Sequence, residues 1–321
     1  MSTAPHVTVV IPAYRAEGTI AQALESVRRQ SWTERDVVVV DDASPDRTSE
    51  AAQAWIRANG AEASSSAERG WRVVRLDRNR GPAGARNEGI RLARGEWVAF
   101  LDGDDAWVPW RLAAQFEALR HAPDAVLVCG DYRVMDELAE AAAQPAKPAP
   151  DEIRRACRAV ALEAFLDDNP APTSTVLART EALRAAGGFD ERFCGTEDID
   201  LWMRVAAAGR IVKLDLPLAL YRERPGSLSM DPDGFLPQIL GVYEKAFGAG
   251  GVLYGLRRFR RRTIASRLTS SAWTCLACGR RLRGLCLLLR SWWVWPRRLK
   301  IEQRRPAWRL ILLGKIVLNR P

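Results

Sequence analysis

The chain has 321 residues, 47% of them hydrophobic and 27% charged, a composition that supports a folded core and excludes a disordered or fibrous polymer. Its net charge of +9 is unevenly spread. From Gly251 onward 18 Lys/Arg face one acid, Glu302, so this tail carries +17 and the first 250 residues carry −8. An acidic front and a basic tail imply two jobs, with the tail meeting something anionic.

The opening MSTAPHVTVVIPAY has no basic segment ahead of an apolar core, and no stretch reaches the roughly 18 uncharged apolar residues of a spanning helix. A cytoplasmic protein is expected, with its six cysteines mostly reduced. Residues 7–11 are a β-branched run ending at Pro12 and predict a buried strand. Residues 17–30 carry Ile20, Leu24 and Val27 at the spacing of a helix face. Residues 37–40 predict a second strand closed by Asp41 and Asp42, and Ser44-Pro45-Asp46 a turn that caps the next helix. A strand over 71–76, a proline-opened helix over 82–94, a strand over 97–101 and another over 126–128 follow. This alternation implies crossover units and a mostly parallel sheet. Residues 135–151 read as a loop, then come a helix near 160–166, a strand over 174–177, a Gly187-Gly188 turn, a helix over 198–208 and a strand over 211–214. Residues 225–234 read as a linker, and the remainder as basic helix.

Two acidic clusters follow apolar strands: Asp41-Asp42, and Asp102-Gly103-Asp104-Asp105. Ligands bind beyond the carboxyl ends of the strands in such sheets. Crowded carboxylates there repel one another unless a cation compensates, and Mg²⁺ or Mn²⁺ completes its shell with phosphate oxygens and water. Helix capping is the competing explanation; for Asp41-Asp42 alone the two weigh equally, whereas Asp102-x-Asp104 favours metal. There is no Gly-rich phosphate loop, which argues against a dinucleotide oxidoreductase or a P-loop NTPase. The two histidines, His6 and His121, stand beside no plausible nucleophile, so carboxylates remain for acid–base work.

VTVVIPAYRAEGTI, VVVVDDASPDRT, GPAGARNEGI, WVAFLDGDDAW, GGFDE and TEDIDLWMR occur in that order. Together they resemble the family 2 glycosyltransferases of the GT-A fold, over roughly residues 7–229. The resemblance implies an α/β GT-A fold: a mostly parallel, Rossmann-like sheet flanked by helices, as a catalytic domain over 1–230, with a basic helical extension over 231–321. Two departures stand out. The usual DDGS element is DDAS here, and the usual asparagine after Tyr14 is Arg15.

The roles implied are these. Pro12, Tyr14 and Glu17 line the nucleotide pocket; Asp42 accepts a hydrogen bond from the base, with Asp41 beside it. Arg86 stands near the donor phosphates. Asp102, Gly103 and Asp104 form the Asp-x-Asp element, with Asp104 the direct metal ligand. Arg222 reaches the diphosphate. Asp198 is the catalytic base, and Glu197 and Trp202 border the acceptor. The expected activity is inverting transfer of a sugar from a nucleotide-diphosphate donor, a UDP-sugar first among them, to a glycan or lipid-linked acceptor in cell-surface polysaccharide synthesis. The alternatives are a non-catalytic nucleotide-sugar-binding or membrane-scaffold protein on the same fold, which intact Asp42, Asp104 and Asp198 argue against, and a nucleotidyltransferase, which the absence of a phosphate loop argues against.

The tail interleaves arginine with Trp273, Trp292, Trp293, Trp295 and Trp308, a pattern of amphipathic helices in a membrane interface. Association with an anionic membrane surface at the inner face of the cell membrane is expected, the competing arrangement being a lid on the catalytic domain. No nucleic-acid-binding motif accompanies the charge. Cys275-x-x-Cys278 lacks the further ligands of a zinc site and reads as helix cysteines.

Overall fold

A computed structural model describes residues 4–59, 70–135, 146–223, 231–299, 301 and 307–317. Residues 136–145 of the predicted loop and 225–230 of the predicted linker lie outside the described residues. The chain divides into two units. The first comprises Met1–Ala161, Pro170–Glu191 and Leu201–Glu223, the second Leu162–Asn169, Arg192–Asp200 and Arg224–Pro321. The break after Glu223 lies close to the predicted division at residue 230, but two earlier segments join the second unit.

Four parallel strands open the sheet of the first unit: β1 (Val7–Ala13), β2 (Arg35–Asp41), β3 (Trp71–Arg75) and β4 (Trp97–Phe100), in the order β3-β2-β1-β4. Helices α1 (Ile20–Arg28), α2 (Thr48–Ala58) and α3 (Gly81–Leu92) are their crossovers. The continuous β-branched runs follow from this placement, since a strand covered on both faces has no polar side to alternate with. In β2, Val37 and Val39 join the core that contains Ile20 and Leu24 of α1, while Val38 and Val40 join Ala85 of α3. Each fully buried valine contributes roughly 1.5–3 kcal/mol. Helix α3 lies close on β1: a Cβ at Gly89 would come within 2.2 Å of Val10 Cγ1, so a side chain there would push the helix off the sheet.

Beyond β4 the sheet changes direction. After β5 (Ala106–Trp107) and α4 (Arg111–His121) come β6 (Ala125–Val134), α5 (Pro150–Ala156), β7 (Cys157–Val160), β8 (Leu177–Arg179), α6 (Thr180–Ala185), α7 (Glu197–Ala208) and β9 (Arg210–Tyr221). Strand β8 runs antiparallel to β4 and β6, β6 pairs parallel with β9, and β5 and β7 flank β9 antiparallel. The parallel expectation thus describes the first half of the sheet, and the second half is mixed. The helix expected near 160–166 is instead β7 followed by a 3-10 segment, Leu162–Leu166, and the strand expected from residue 174 starts with a 3-10 turn at Thr173–Thr175. Helix α4 has no counterpart among the predicted elements, because its buried face mixes Leu112, Phe116 and Leu119 with Arg111 and Gln115. Arg111 stacks on Trp107 at 3.7 Å and donates to the Val176 carbonyl, and Gln115 donates to the Val128 and Thr175 carbonyls.

The second unit is helical, built from the first turn of α7 with α8 (Pro232–Phe247), α9 (Arg260–Ala277), α10 (Arg281–Val294) and α11 (Trp308–Val317). Gly284 lets α10 lie close on α9, for a Cβ there would meet the Ala272 carbonyl at 3.1 Å. Ser291 of α10 donates to the Ala265 carbonyl and shares a hydrogen bond with Thr269. No helix among the described residues is long and apolar enough to cross a membrane.

Candidate active site

Register brings the two acidic clusters to one edge. Strand β1 lies between β2 and β4; Ala13 is level with Asp41, and Val10 with Phe100. Past Phe100 the chain keeps pairing with β1, as Leu101 N–H donates to the Val10 carbonyl and Gly103 N–H to the Pro12 carbonyl at 3.2 Å. Asp102 and Asp104 therefore emerge at the level of Ala13, beyond the carboxyl ends of the parallel strands, where such sheets bind ligands. Gly103 suits this approach: an added Cβ would sit a tight 3.1 Å from the Pro12 carbonyl oxygen. Thr19 of the loop before α1 donates to the Gly103 carbonyl and fixes the turn from the other side.

Three carboxylates share this turn, and each is held differently. Asp102 accepts from Arg86 of α3 at 2.7 Å, and the Arg86 guanidinium, nearly buried, also lies over the Phe189 ring. Asp104 is half-buried, and its carbonyl accepts from Arg222 Nε at 3.1 Å. Asp105 points inward. It accepts from Ser174 Oγ at 2.6 Å and from Arg222 N–H at 3.0 Å, and Ser174 Oγ in turn accepts from Asp102 N–H. Burial, then the charges of Asp102 and Asp104, push the Asp105 carboxyl from 3.8 up to about 8.

That shift has a sign that can be measured. The native state keeps the Asp105 proton where the unfolded chain has released it, so stability present below pH about 4 is lost as pH rises toward 8. In chelator, the melting temperature of the wild type should fall more steeply across this window than that of Asp105→Asn. Parallel pH profiles for the two proteins would refute the shift.

The β2 end carries the second pair. Asp41 is fully buried and its carboxylate is engaged by Ser44 N–H, Ser49 Oγ and Arg75 Nη1, which makes it the anchor of the turn into α2. Asp42 faces the other way, as adjacent residues at a strand end do. It accepts from Arg80 N–H at 2.7 Å, and burial raises its carboxyl from its ordinary value. Tyr14 is half exposed, and Glu17 accepts from Arg47 N–H while its own N–H donates to Asp46. Both departures from the family pattern occupy left-handed backbone: Arg15 has φ +52° and Ala43 φ +54°. Glycine tolerates that region and alanine is strained in it, so Ala43→Gly should stabilise the protein by about 0.5–1 kcal/mol after the entropy cost of glycine. A urea midpoint that rises with unchanged slope would verify it; a fall would not be compatible with the strain argument.

Asn87 joins two motifs. Its amide donates to the Phe189 carbonyl and its Oδ1 accepts from Phe189 N–H, a paired bond that fastens α3 to the GGFDE segment. Gly188, at φ +69°, leaves room for it, since a Cβ there would lie 2.6 Å from Asn87 Oδ1. Glu191 completes the joint with a 2.6 Å ion pair to Arg80. Trp202 is fully buried between Phe100 and Phe189, at 6.0 and 5.5 Å, and so belongs to the core of the first unit rather than to an open wall.

In the second unit the carboxylate of Asp198, at the start of α7, is held at both oxygens. Ile199 N–H donates to Oδ1 at 2.7 Å and the Asn169 amide donates to Oδ2 at 2.8 Å. Glu197 is buried beside it, and Asp200 pairs with Lys245 of α8 at 2.7 Å. Sequence reasoning missed Ser174 and Asn169 altogether. Asp105 was visible as the third acid of its cluster, without an assigned role.

Comparison with known proteins gives the family and the fold. The model for glycosyl transferase family 2 matches residues 8–162. The amylovoran biosynthesis glycosyltransferase AmsB of Erwinia amylovora is 31% identical over 219 residues, 67% of this chain and 68% of that protein. The chain belongs to glycosyl transferase family 2. Matches to curated relatives span from 29% to 76% of their lengths. Among solved structures, S. aureus TarS 1-349 in complex with UDP-GlcNAc superposes with a TM-score of 0.61 at 20% identity, covering 98% of this chain and 82% of that one. The mannosyltransferase PcManGT from Pyrobaculum calidifontis, in complex with GDP-Man and Mn²⁺, gives 0.57 at 19%, covering 100% and 89%. The fold is therefore the GT-A glycosyltransferase fold.

Proposed function

We propose that the protein is an inverting, divalent-metal-assisted glycosyltransferase that moves a sugar from a nucleotide-diphosphate donor, UDP-linked first among them, to a glycan or lipid-linked acceptor in bacterial cell-surface polysaccharide synthesis. The observation that carries this reading is the convergence of Asp42, Arg86, Asp102, Asp104 and Arg222 at the carboxyl ends of the parallel strands. AmsB is named as a glycosyltransferase of amylovoran biosynthesis, and the TarS and PcManGT complexes carry a UDP- and a GDP-sugar, which supports donor and process alike.

The residues suit the chemistry. Asp42 accepts a hydrogen bond from the nucleotide base, in a pocket that Pro12, Tyr14 and Glu17 border. Arg86 and Arg222 supply guanidinium groups that match phosphate oxygens. The donors of Asp102, Asp104 and Asp105 are hard carboxylate oxygens, which fit Mg²⁺ or Mn²⁺; among the described residues no group of three or more potential ligands forms a ready-made cage. A metal held by one or two carboxylates and finished by phosphate oxygens fits that donor set. Asp104 is assigned as the direct ligand from its position in the Asp-x-Asp element; beside it Asp102 is bonded to Arg86 and Asp105 to Ser174. Such an ion would neutralise charge on the departing diphosphate, so no general acid is needed. Asp198 takes the proton from the acceptor hydroxyl, which attacks the anomeric carbon from the face opposite the diphosphate and inverts it. Glu197 is assigned to the acceptor side.

The deciding experiment is hydrolysis of UDP-, GDP- and dTDP-sugars with Mn²⁺ or Mg²⁺. Release of one nucleotide diphosphate that requires metal supports the reading and names the donor. A panel that neither turns over nor binds by calorimetry refutes it.

A further inference from the structure

Helix α10 has two apolar faces. Its inner face, formed by Gly284, Leu287, Leu288 and Ser291, is buried within the second unit. Diametrically opposite runs a second stripe, Leu282, Cys286, Leu289 and Trp293, spaced 4, 3 and 4 residues apart and so confined to an arc of about 60°. This outer stripe is bare: Leu282 is 82% exposed, Leu289 53% and Trp293 86%. A helix of a water-bathed domain keeps polar residues on that side. Three large apolar side chains in one exposed row, with a tryptophan at one end, mark a surface meant to be covered.

The charge around the stripe identifies what covers it. Arg283 and Arg290 stand a quarter-turn to one side, both exposed, and Arg297 and Arg298 follow the helix, exposed as well. Arg281 stands on the other side. From Gly251 to Leu299 there is no acidic residue at all. Within the unit, Asp233 of α8 answers Arg280 and Arg283, which leaves the basic residues toward Trp293 without a carboxylate partner among the described residues. A protein partner of ordinary composition would meet this arrangement with scattered acids. A continuous negative surface with an apolar layer beneath it suits the whole stripe at once.

We infer that the outer face of α10 docks in the plane of an anionic phospholipid bilayer, with Leu282, Leu289 and Trp293 entering the acyl boundary and Arg290, Arg297 and Arg298 meeting the headgroups. Lying flat needs no spanning length, in keeping with the absence of any such helix among the described residues. Tryptophan at the helix end sits at headgroup level, and arginine stems flanking the stripe reach outward to phosphate. The inference rests on the lipid-linked-acceptor part of the proposed function: acceptor and enzyme would then share one surface.

The test is flotation of the full chain with phosphatidylcholine vesicles, with and without phosphatidylglycerol. The wild type should float with the anionic vesicles, less so at high salt. Trp293→Glu and Leu289→Glu should each weaken partitioning by about tenfold, and Arg290→Glu by about fivefold, the equivalent of about 1 kcal/mol for one basic residue at an anionic surface. All three side chains are exposed, and metal-dependent donor hydrolysis by these variants should equal the wild type, so loss of lipid binding separates from loss of fold or of sugar-transfer chemistry. Absence of flotation, or flotation indifferent to the stripe variants, overturns the inference. So does a dimer in sedimentation velocity that Trp293→Glu dissolves, which would assign the stripe to a second copy of the chain.

Discussion

Asp198→Asn should lower kcat by about 10³-fold while donor affinity stays unchanged, the scale set by what a positioned general base contributes. Asparagine keeps the size of the side chain and its place at the start of α7, but it cannot take a proton. The substitution also separates the two explanations for an acid at this position. A carboxylate that only favours the helix N-terminus contributes about 0.3–1 kcal/mol, and asparagine caps helices as well as aspartate does. In that case stability would shift slightly and turnover hardly at all. The surroundings argue for more than capping: one carboxylate oxygen is held by Ile199 N–H, and the other by Asn169 from a distant segment of the second unit. Steady-state transfer to acceptor, alongside calorimetry with the donor, measures both halves of the prediction. A kcat within tenfold of the wild type would remove Asp198 from the mechanism.

What the sequence made legible is the part of the site written in consecutive residues. Apolar runs ending in Asp41-Asp42 and in Asp102–Asp105 announce strands with acids at their tips, because the strand period and the carboxyl-end rule are local facts. The six ordered motifs added the family. What stayed hidden depends on residues far apart in the chain. Ser174, which bridges Asp102 N–H and Asp105, is separated from them by 72 and 69 positions, and a single serine carries no signal of its own. Likewise the choice between Asp41 and Asp42 turns on which face of the sheet each side chain meets. The structure ties Asp41 to Ser49 and Arg75, so it acts as a structural anchor, which adjacency in sequence cannot reveal. Trp202 shows the same limit from the other direction: a family motif suggests an acceptor wall, while Phe100 and Phe189 close around the ring. The two departures, Arg15 and Ala43, were visible as letters, but only the backbone shows that both fall on left-handed residues.

Asp104→Ala should abolish metal-dependent turnover, by about 10³-fold, while the fold stays intact. The magnitude follows from the several kcal/mol that a metal contributes to a developing charge, at 1.36 kcal/mol for each factor of ten. Its half-buried side chain stands in the turn between Asp102, bonded to the nearly buried Arg86, and Asp105, bonded to Ser174 and Arg222 N–H. Asp102→Ala is the informative contrast. It removes the carboxylate that pairs with the Arg86 guanidinium at 2.7 Å, and because Asp102 itself is 30% exposed the cost should be about 1–2 kcal/mol rather than the full penalty of a buried pair. Denaturant midpoints should therefore fall for Asp102→Ala, whereas titration of activity with Mn²⁺ should fail for Asp104→Ala at every concentration. If the Mn²⁺ response survives Asp104→Ala and disappears in Asp105→Asn, the metal belongs on the buried acid, and the inward hydrogen bonds of Asp105 must break to receive it.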